Sequence, residues 1–231
     1  MEKAIVLSSG GIDSTTCVGL AVEKYGKENV ATISAFYGQK HKKELECAQN
    51  VADYYGLNNY VIDLAQIMQY SDCSLLSHSS KEIKHESYAE QIADGGKVET
   101  YVPFRNGLIL SAVSAIALSL NPDDITHIYI GIHADDAAGE AYADCRPDFF
   151  QAMSEAINIG SYKQLIVEAP FVNVNKAEVV RQGLALHVPY DLTWSCYEGG
   201  DKACGKCGTC IDRLKAFESN GVKDPIAYAN D

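Results

Sequence analysis

Apolar and polar positions along the 231-residue chain switch repeatedly between a period of two and a period near 3.6. Lys3 to Ser8 is a short apolar run suited to a strand, and Asp13 to Tyr25 sets Cys17, Leu20, Ala21 and Val22 at helical spacing. Val30 to Tyr37 predicts a second strand, Lys40 to Tyr55 a charged helix with Leu45, Ala48, Val51 and Ala52 on one stripe, and Asn59 to Leu64 a third strand. Strands separated by helices in this way predict parallel βαβ units with right-handed crossovers.

From Gln66 to Tyr101 the periodicity is lost among turn-forming and polar residues. So long an irregular stretch reads as a lid or an active-site excursion. Order returns at Phe104 to Leu120, whose near-continuous apolar character predicts a buried helix, and His127 to Ile132 is a fourth strand. Pro147 to Ile159 is a helix opening on proline, and Gln164 to Glu168 a fifth strand. Asn175 with Glu178 three residues on has the form of a capping box ahead of a helix from Lys176 to Leu186, and Thr209 to Glu218 predicts a last helix stopping near Gly221. The expected fold is α/β: a Rossmann-like, five-stranded parallel sheet covered by helices on both faces. Residues 1–190 would form the main domain, and 191–231 a small region packed on it.

Hydrophobic residues at 47% and charged residues at 22% fit a compact protein and exclude disordered or fibrous readings. Acidic residues outnumber basic ones 31 to 19, a net charge of −12 that argues against a partner as large as DNA or RNA. A small nucleotide remains compatible, since backbone amides and one or two cations can hold a phosphate. No run is long and apolar enough to predict a membrane span or an export signal. Cysteines 17, 47, 73 and 145 fit free thiols in a reducing cytoplasm.

Between the first strand and the first helix stands Ser8-Ser9-Gly10-Gly11-Ile12-Asp13-Ser14-Thr15. Glycines there let backbone approach an anion, the helix start offers unpaired amides, and the hydroxyls of Ser9, Ser14 and Thr15 add donors. The loop is neither a Walker A sequence nor a dinucleotide fingerprint. A tight turn with Asp13 as helix cap is the plainer reading.

Cys196, Cys204, Cys207 and Cys210 are spaced C-x7-C-x2-C-x2-C. Four thiolates suit tetrahedral zinc in a closed, structural shell. An iron-sulfur cluster or ordinary thiols and disulfides are the alternatives, although the C-x3-C-P continuation of ferredoxin runs is missing.

The loop resembles the SGG-x-DS signature of ATP pyrophosphatases. SGGIDSTTC, FYGQKH from Phe36, YVPFRN from Tyr101, DCRPDF from Asp144, NKAEVV from Asn175 and the stretch from LTWSC to ACGKCGTC together resemble the 7-cyano-7-deazaguanine synthase family of queuosine biosynthesis, over nearly the whole chain. This chain departs from the usual pattern at Ser8, at Phe104, in the excursion from Lys81 to Thr100 and in GIHADDAAGEAYADC.

The resemblance implies an ATP-dependent carbon-nitrogen ligase that takes 7-carboxy-7-deazaguanine and ammonia to the nitrile, preQ0, with Mg2+ accompanying ATP, one structural zinc and a homodimer. It marks Ser8, Ser9, Gly10, Gly11, Asp13, Ser14 and Thr15, with Tyr37 and Gly38 after the second strand, as the nucleotide site, Asp13 helping to place magnesium if it does not cap the helix. Lys176 resembles the phosphate-contacting lysine of the wider group, a solvated helix-start lysine being the alternative. Arg105 and Arg146 are the other cations expected near developing charge, unless they only pair with carboxylates. Asp144, Arg146, Asp135 and Asp136 are the expected deazapurine contacts, lying past the fourth strand where open α/β sheets bind ligands. His41 and Cys145 are weaker candidates for proton transfer and for a covalent role.

Overall fold

The computed structural model describes residues 2–83, 99–137 and 142–229, without the side chains of residues 136 and 137. Five strands, β1 (Glu2–Leu7), β2 (Val30–Phe36), β3 (Asn58–Asp63), β4 (Ile125–Tyr129) and β5 (Leu165–Glu168), form one sheet in the order β3-β2-β1-β4-β5. Every pairing is parallel. The helices are α1 (Ile12–Tyr25), α2 (Lys43–Tyr55), α3 (Ala65–Met68), α4 (Arg105–Leu120), α5 (Ala134–Ala137), α6 (Pro147–Gly160), α7 (Lys176–Ala185) and α8 (Gly208–Ser219).

Side chains alternate across the sheet, so each strand feeds two cores. Ala4, Val6 and Tyr129 face Cys17, Val18 and Ala21 of α1, Val51 of α2, Val179 and Val180 of α7 and Phe217 of α8. Ile5, Ile33 and Ile128 face the other way, onto Leu110, Val113 and Ala117 of α4 and Ile157 of α6. The doubly covered parallel sheet is thus as the hydrophobic pattern predicts.

Two local expectations are corrected. Helix α4 is not buried all round: Gly107, Leu110, Val113 and Ala117 are buried, while Ser111, Ala115 and Ser119 are exposed. Serine hydroxyls at 111, 114 and 119 donate to the carbonyls one turn back, so they interrupt the apolar surface without leaving a polar group unpaired. The capping box at α7 is half formed. Asn175 Oδ1 accepts from Glu178 N–H at 2.9 Å, but the Glu178 carboxylate turns to Arg181, 2.6 Å away, instead of back to the cap. Within the expected irregular excursion the structure adds the short α3 and a bridge between Gln39 and Leu76; residues 84–98 lie outside the described residues.

The strand order reverses between β1 and β4, which neighbour each other and lead to opposite edges. Chain leaving the carboxyl ends of these two strands must diverge, and the resulting crevice is where such sheets bind ligands.

Candidate functional site

A cavity of about 230 Å³ occupies that crevice. One end is the loop after β1. Gly10 has φ of +76°, and a Cβ there would stand 2.3 Å from the Glu44 carbonyl oxygen and 2.7 Å from Ala48 N, so only glycine lets the loop pass against α2. Ser9 N–H donates to Ser14 Oγ at 3.1 Å, the two hydroxyls are 3.1 Å apart, and Gly11 N–H donates to Ser9 Oγ at 3.3 Å. Gly11 is the helix cap and supplies no side chain, so the first amides of α1 are left to whatever anion enters. Asp13 is therefore not the cap; it stands inside the first turn.

Asp13 meets Lys176, the first residue of α7. Lys176 Nζ is 2.9 Å from Asp13 Oδ2 and 3.1 Å from His133 Nε2. Burial pushes the Asp13 carboxyl up, but Lys176 and His133 outweigh it and hold it below the ordinary carboxylate range. Asp135 Oδ2 accepts from Lys176 N–H at 2.8 Å, which fixes the start of α7. Asp212 of α8 also lines this end, its carboxyl raised by burial against the opposing pull of Lys176. Two further residues were not legible as site residues. Gly131, just past β4, would set a Cβ within 2.8 Å of the Asp13 backbone, and Asp212 carries no motif of its own beyond following the cysteines.

The cavity is further lined by Tyr37, Gln39, Glu44, Arg105, Asn106 and Tyr197 over an apolar floor that includes Ile33, Ile109 and Ile132. Arg105 stacks on Tyr37, its guanidinium 5.5 Å from the ring centroid, with Nη1 3.5 Å from the hydroxyl. Burial works against its charge, but Tyr37, Tyr197, Cys145 and Asp144 raise its pKa overall. Tyr37 is pushed up to about 12, by burial first and then by Glu44, and so stays a hydroxyl donor. Burial raises Glu44 to about 7, with Arg105 opposing.

The structure brings Ser8, Ser9, Gly11, Asp13, Ser14, Tyr37, Arg105 and Lys176 to one cavity. Thr15 is buried and does not line it, and Gly38 is set behind it, its carbonyl accepting from Ser77 N–H at 2.8 Å. The expected deazapurine contacts need correction. Asp144 is buried beneath α4, where Oδ2 accepts from Asn106 N–H at 2.9 Å; α4 has Phe104 at its cap position with no capping side chain, and Asp144 fills that role. Arg146 lies outside the cavity, its guanidinium laid on Asp148 at 3.1 and 3.0 Å at the start of α6. Asp135 is the brace for Lys176 just described, and the Asp136 side chain lies outside the described residues. Cys145 does line the cavity, with Asn106 Nδ2 3.3 Å from its sulfur; His41 does not, and burial lowers its pKa.

The four Sγ atoms of Cys196, Cys204, Cys207 and Cys210 lie within 4.8 Å of one another, and those of Cys204 and Cys210 are 3.9 Å apart. Four sulfurs around one tetrahedral zinc at about 2.3 Å would be about 3.8 Å apart. Hydrogen bonds from Cys207 and Cys210 hold the Cys196 thiol down, and the same contact pushes Cys207 up to about 12. Sulfurs so crowded cannot all ionise without a cation among them, so the donor set fits a bound metal ion. The cluster is joined to the cavity: Trp194 N–H donates to Gly10 O at 2.8 Å and its indole N–H to Cys196 O at 2.8 Å. Behind it, fully buried Arg213 grips Asp224 at 2.6 and 2.9 Å and Thr193 Oγ1 at 2.9 Å.

A family model described as queuosine biosynthesis protein QueC matches residues 3–221. The chain is 38% identical to a 7-cyano-7-deazaguanine synthase of Psychromonas ingrahamii, with 98% of each chain covered. It is 39% identical to the enzyme of that name from Oceanobacillus iheyensis over 98% of each, and 41% identical to that from Caldicellulosiruptor bescii over 98% of this chain and 97% of the other. Among solved structures, NMN synthetase from Francisella tularensis aligns with a TM-score of 0.48 and 12% identity, over 96% of this chain and 78% of that one. Among the described residues no helix is long and apolar enough to cross a membrane.

Proposed function

Since the chain belongs to the 7-cyano-7-deazaguanine synthase family, we propose that it uses ATP to convert 7-carboxy-7-deazaguanine and ammonia into 7-cyano-7-deazaguanine. The observation that carries this reading is the single cavity that the Ser9–Ser14 loop, Lys176 and Arg105 line together. A carboxylate is a poor electrophile, and making its oxygen a leaving group requires an activated phosphate beside it. Holding acid and nucleotide in one enclosure makes that encounter effectively intramolecular.

The loop amides and hydroxyls receive the polyphosphate, and Lys176, braced by Asp135 and paired with Asp13, supplies the cation that the loop lacks. Asp13 and Asp212 are the carboxylates that would hold the Mg2+ arriving with ATP, whose charge offsets that of the phosphates. Arg105, stacked and buried, keeps its charge in an apolar setting and suits the acid's carboxylate. The cysteine site would hold structural zinc, closed to water, which supplies folding energy to the segment from Trp194 to Tyr228. Amide formation followed by a second activation of the amide oxygen gives two dehydrations in the same cavity.

The test is mass spectrometry of the deazapurine and nucleotide products after incubation with the acid, ammonium and Mg-ATP. The nitrile is expected. An amide that accumulates without further conversion, one water heavier, would place the chain among amide-forming relatives, and no acid-dependent ATP use would overturn the reading.

A further inference from the structure

The conversion of ammonia to a nitrile nitrogen removes three N–H protons, and among the described residues the carboxylates near Lys176 are not suited to take them. The carboxylates there are committed: Asp13 is bonded to Lys176, Asp135 accepts from the Lys176 amide, and Asp212 is held within the field of Lys176 and His133. Tyr37 is held as a neutral phenol by burial. Glu44 is different. It stands in the first turn of α2, half-buried in the cavity wall, and among the described residues no hydrogen bond or ion pair reaches its carboxylate. Its own backbone carbonyl rests on Gly10, Glu44 lines the cavity, and Arg105 is the cation that acts on its carboxylate. A carboxylate kept in a cavity wall without a partner costs stability unless a ligand supplies one.

The geometry points to Glu44 as the proton acceptor for the nitrogen nucleophile, an inference that rests on the nitrile-forming reading above. In the first step the ammonia lone pair forms the C–N bond. The acyl C–O bond to the adenylate breaks, AMP leaves with that electron pair, and one N–H proton passes to the Glu44 carboxylate. After the carboxyl group has returned its proton to water, the amide oxygen bonds to the α-phosphorus of a second ATP as pyrophosphate leaves. An N–H proton again goes to Glu44 as the C=N bond forms. Breaking the remaining C–O bond releases a second AMP with its electron pair, and the last N–H proton is taken the same way, leaving the nitrile. Arg105 opposite the carboxylate favours its ionised form between these transfers.

The experiment separates activation from nitrogen chemistry. Acid-dependent exchange of labelled pyrophosphate into ATP, run without ammonia, reports adenylation alone; amide and nitrile formation report the proton transfers. Glu44→Gln keeps shape and hydrogen-bonding capacity but cannot accept a proton. It should retain exchange within about threefold of wild type while amide and nitrile formation fall about 100-fold or more, the general-base contribution, and Glu44→Asp should recover part of the loss. Thermal melting and metal content of both variants establish that they fold. Exchange and product formation falling together, with a raised KM for the acid, would overturn the inference and make Glu44 a contact to the substrate ring. Product formation near wild-type rate in Glu44→Gln would also overturn it. If the wild type itself makes neither amide nor nitrile, the failure lies in the proposed reaction, and the Glu44 assignment falls with it.

Discussion

Lys176 Nζ lies 2.9 Å from Asp13 Oδ2, so the start of α7 is fastened to the first turn of α1 across 163 residues of sequence. The contact brings two helix N-termini together, where their amide dipoles and the ammonium would act on one anion. Asp13 keeps the lysine in place, and His133 behind it closes the approach from β4.

Lys176→Met should preserve much of the aliphatic packing and remove the cation. The loss should appear in adenylation at roughly 2 to 4 kcal/mol, about 30- to 1000-fold in rate. Arginine should rescue poorly, because its planar fork does not replace a compact ammonium between Asp13 and His133. Single-turnover and steady-state rates of the three proteins check this; an unchanged Met variant would place Lys176 outside the reaction.

Cys207→Ser should lose near-stoichiometric metal and unfold the segment from Trp194 onward first. Because Trp194 N–H holds the Gly10 carbonyl, ATP affinity should fall with the metal although none of the four clustered cysteines lines the cavity. Metal analysis alongside calorimetric ATP titration tests the coupling, and full ATP affinity in the metal-free variant would refute it.

Asp144 should behave as a helix cap. Asp144→Ala is expected to cost about 1 to 2 kcal/mol of stability, the usual loss at a capping position, and to lower turnover indirectly by loosening Arg105 at the start of α4. Asp144→Asn retains an acceptor oxygen and should recover most of both. Arg146→Ala, which removes the exposed pair with Asp148, should change turnover by less than about threefold, a surface pair contributing about 0 to 1 kcal/mol. Melting curves with acid-dependence kinetics distinguish these roles; a selective rise in KM for the acid in Asp144→Asn would restore a substrate contact.

The pH dependence of stability should carry the sign of a raised carboxyl. Glu44 titrates near 7 in the folded protein against about 4.5 unfolded, so between those values the folded state binds more protons. Stability contributed by this group is therefore present at low pH and lost as pH rises through that window, the reverse of Asp13. Glu44→Gln removes the cost, and should melt above wild type at pH 8 with a difference that narrows toward pH 5. Equal melting temperatures at pH 8 would show that the carboxylate is not penalised.

How much of this was legible in the sequence differs by scale. The sheet followed from short, largely apolar runs such as Val30 to Phe36, because burial on both faces leaves an apolar signature that needs no tertiary information. The loop after β1, as part of the cavity wall, and the clustering of the four cysteines were legible because each depends on residues close in sequence. Roles set across the fold were not. Asp144 and Arg146 share a charged hexapeptide, and which carboxylate meets a substrate and which meets Asn106 N–H depends on where α4 begins. Glu44 reads as one more charge on a charged helix until Gly10 is seen beneath its carbonyl. Likewise the apolar run of α4 gave no hint of its exposed serine face, since a serine bonded one turn back is silent in a hydropathy pattern.

The cavity wall that closes over the loop after β1 is made by Trp194, Ser195, Tyr197, Thr209 and Asp212. All come from the last fifth of the chain, whereas the loop they complete lies within its first fifteen residues. A chain growing on the ribosome emerges amino end first and can fold the sheet before these residues appear. The cavity beside that loop then lacks these wall residues until synthesis is almost over. The cavity is thus completed last, when the segment carrying the four cysteines packs onto the sheet already formed.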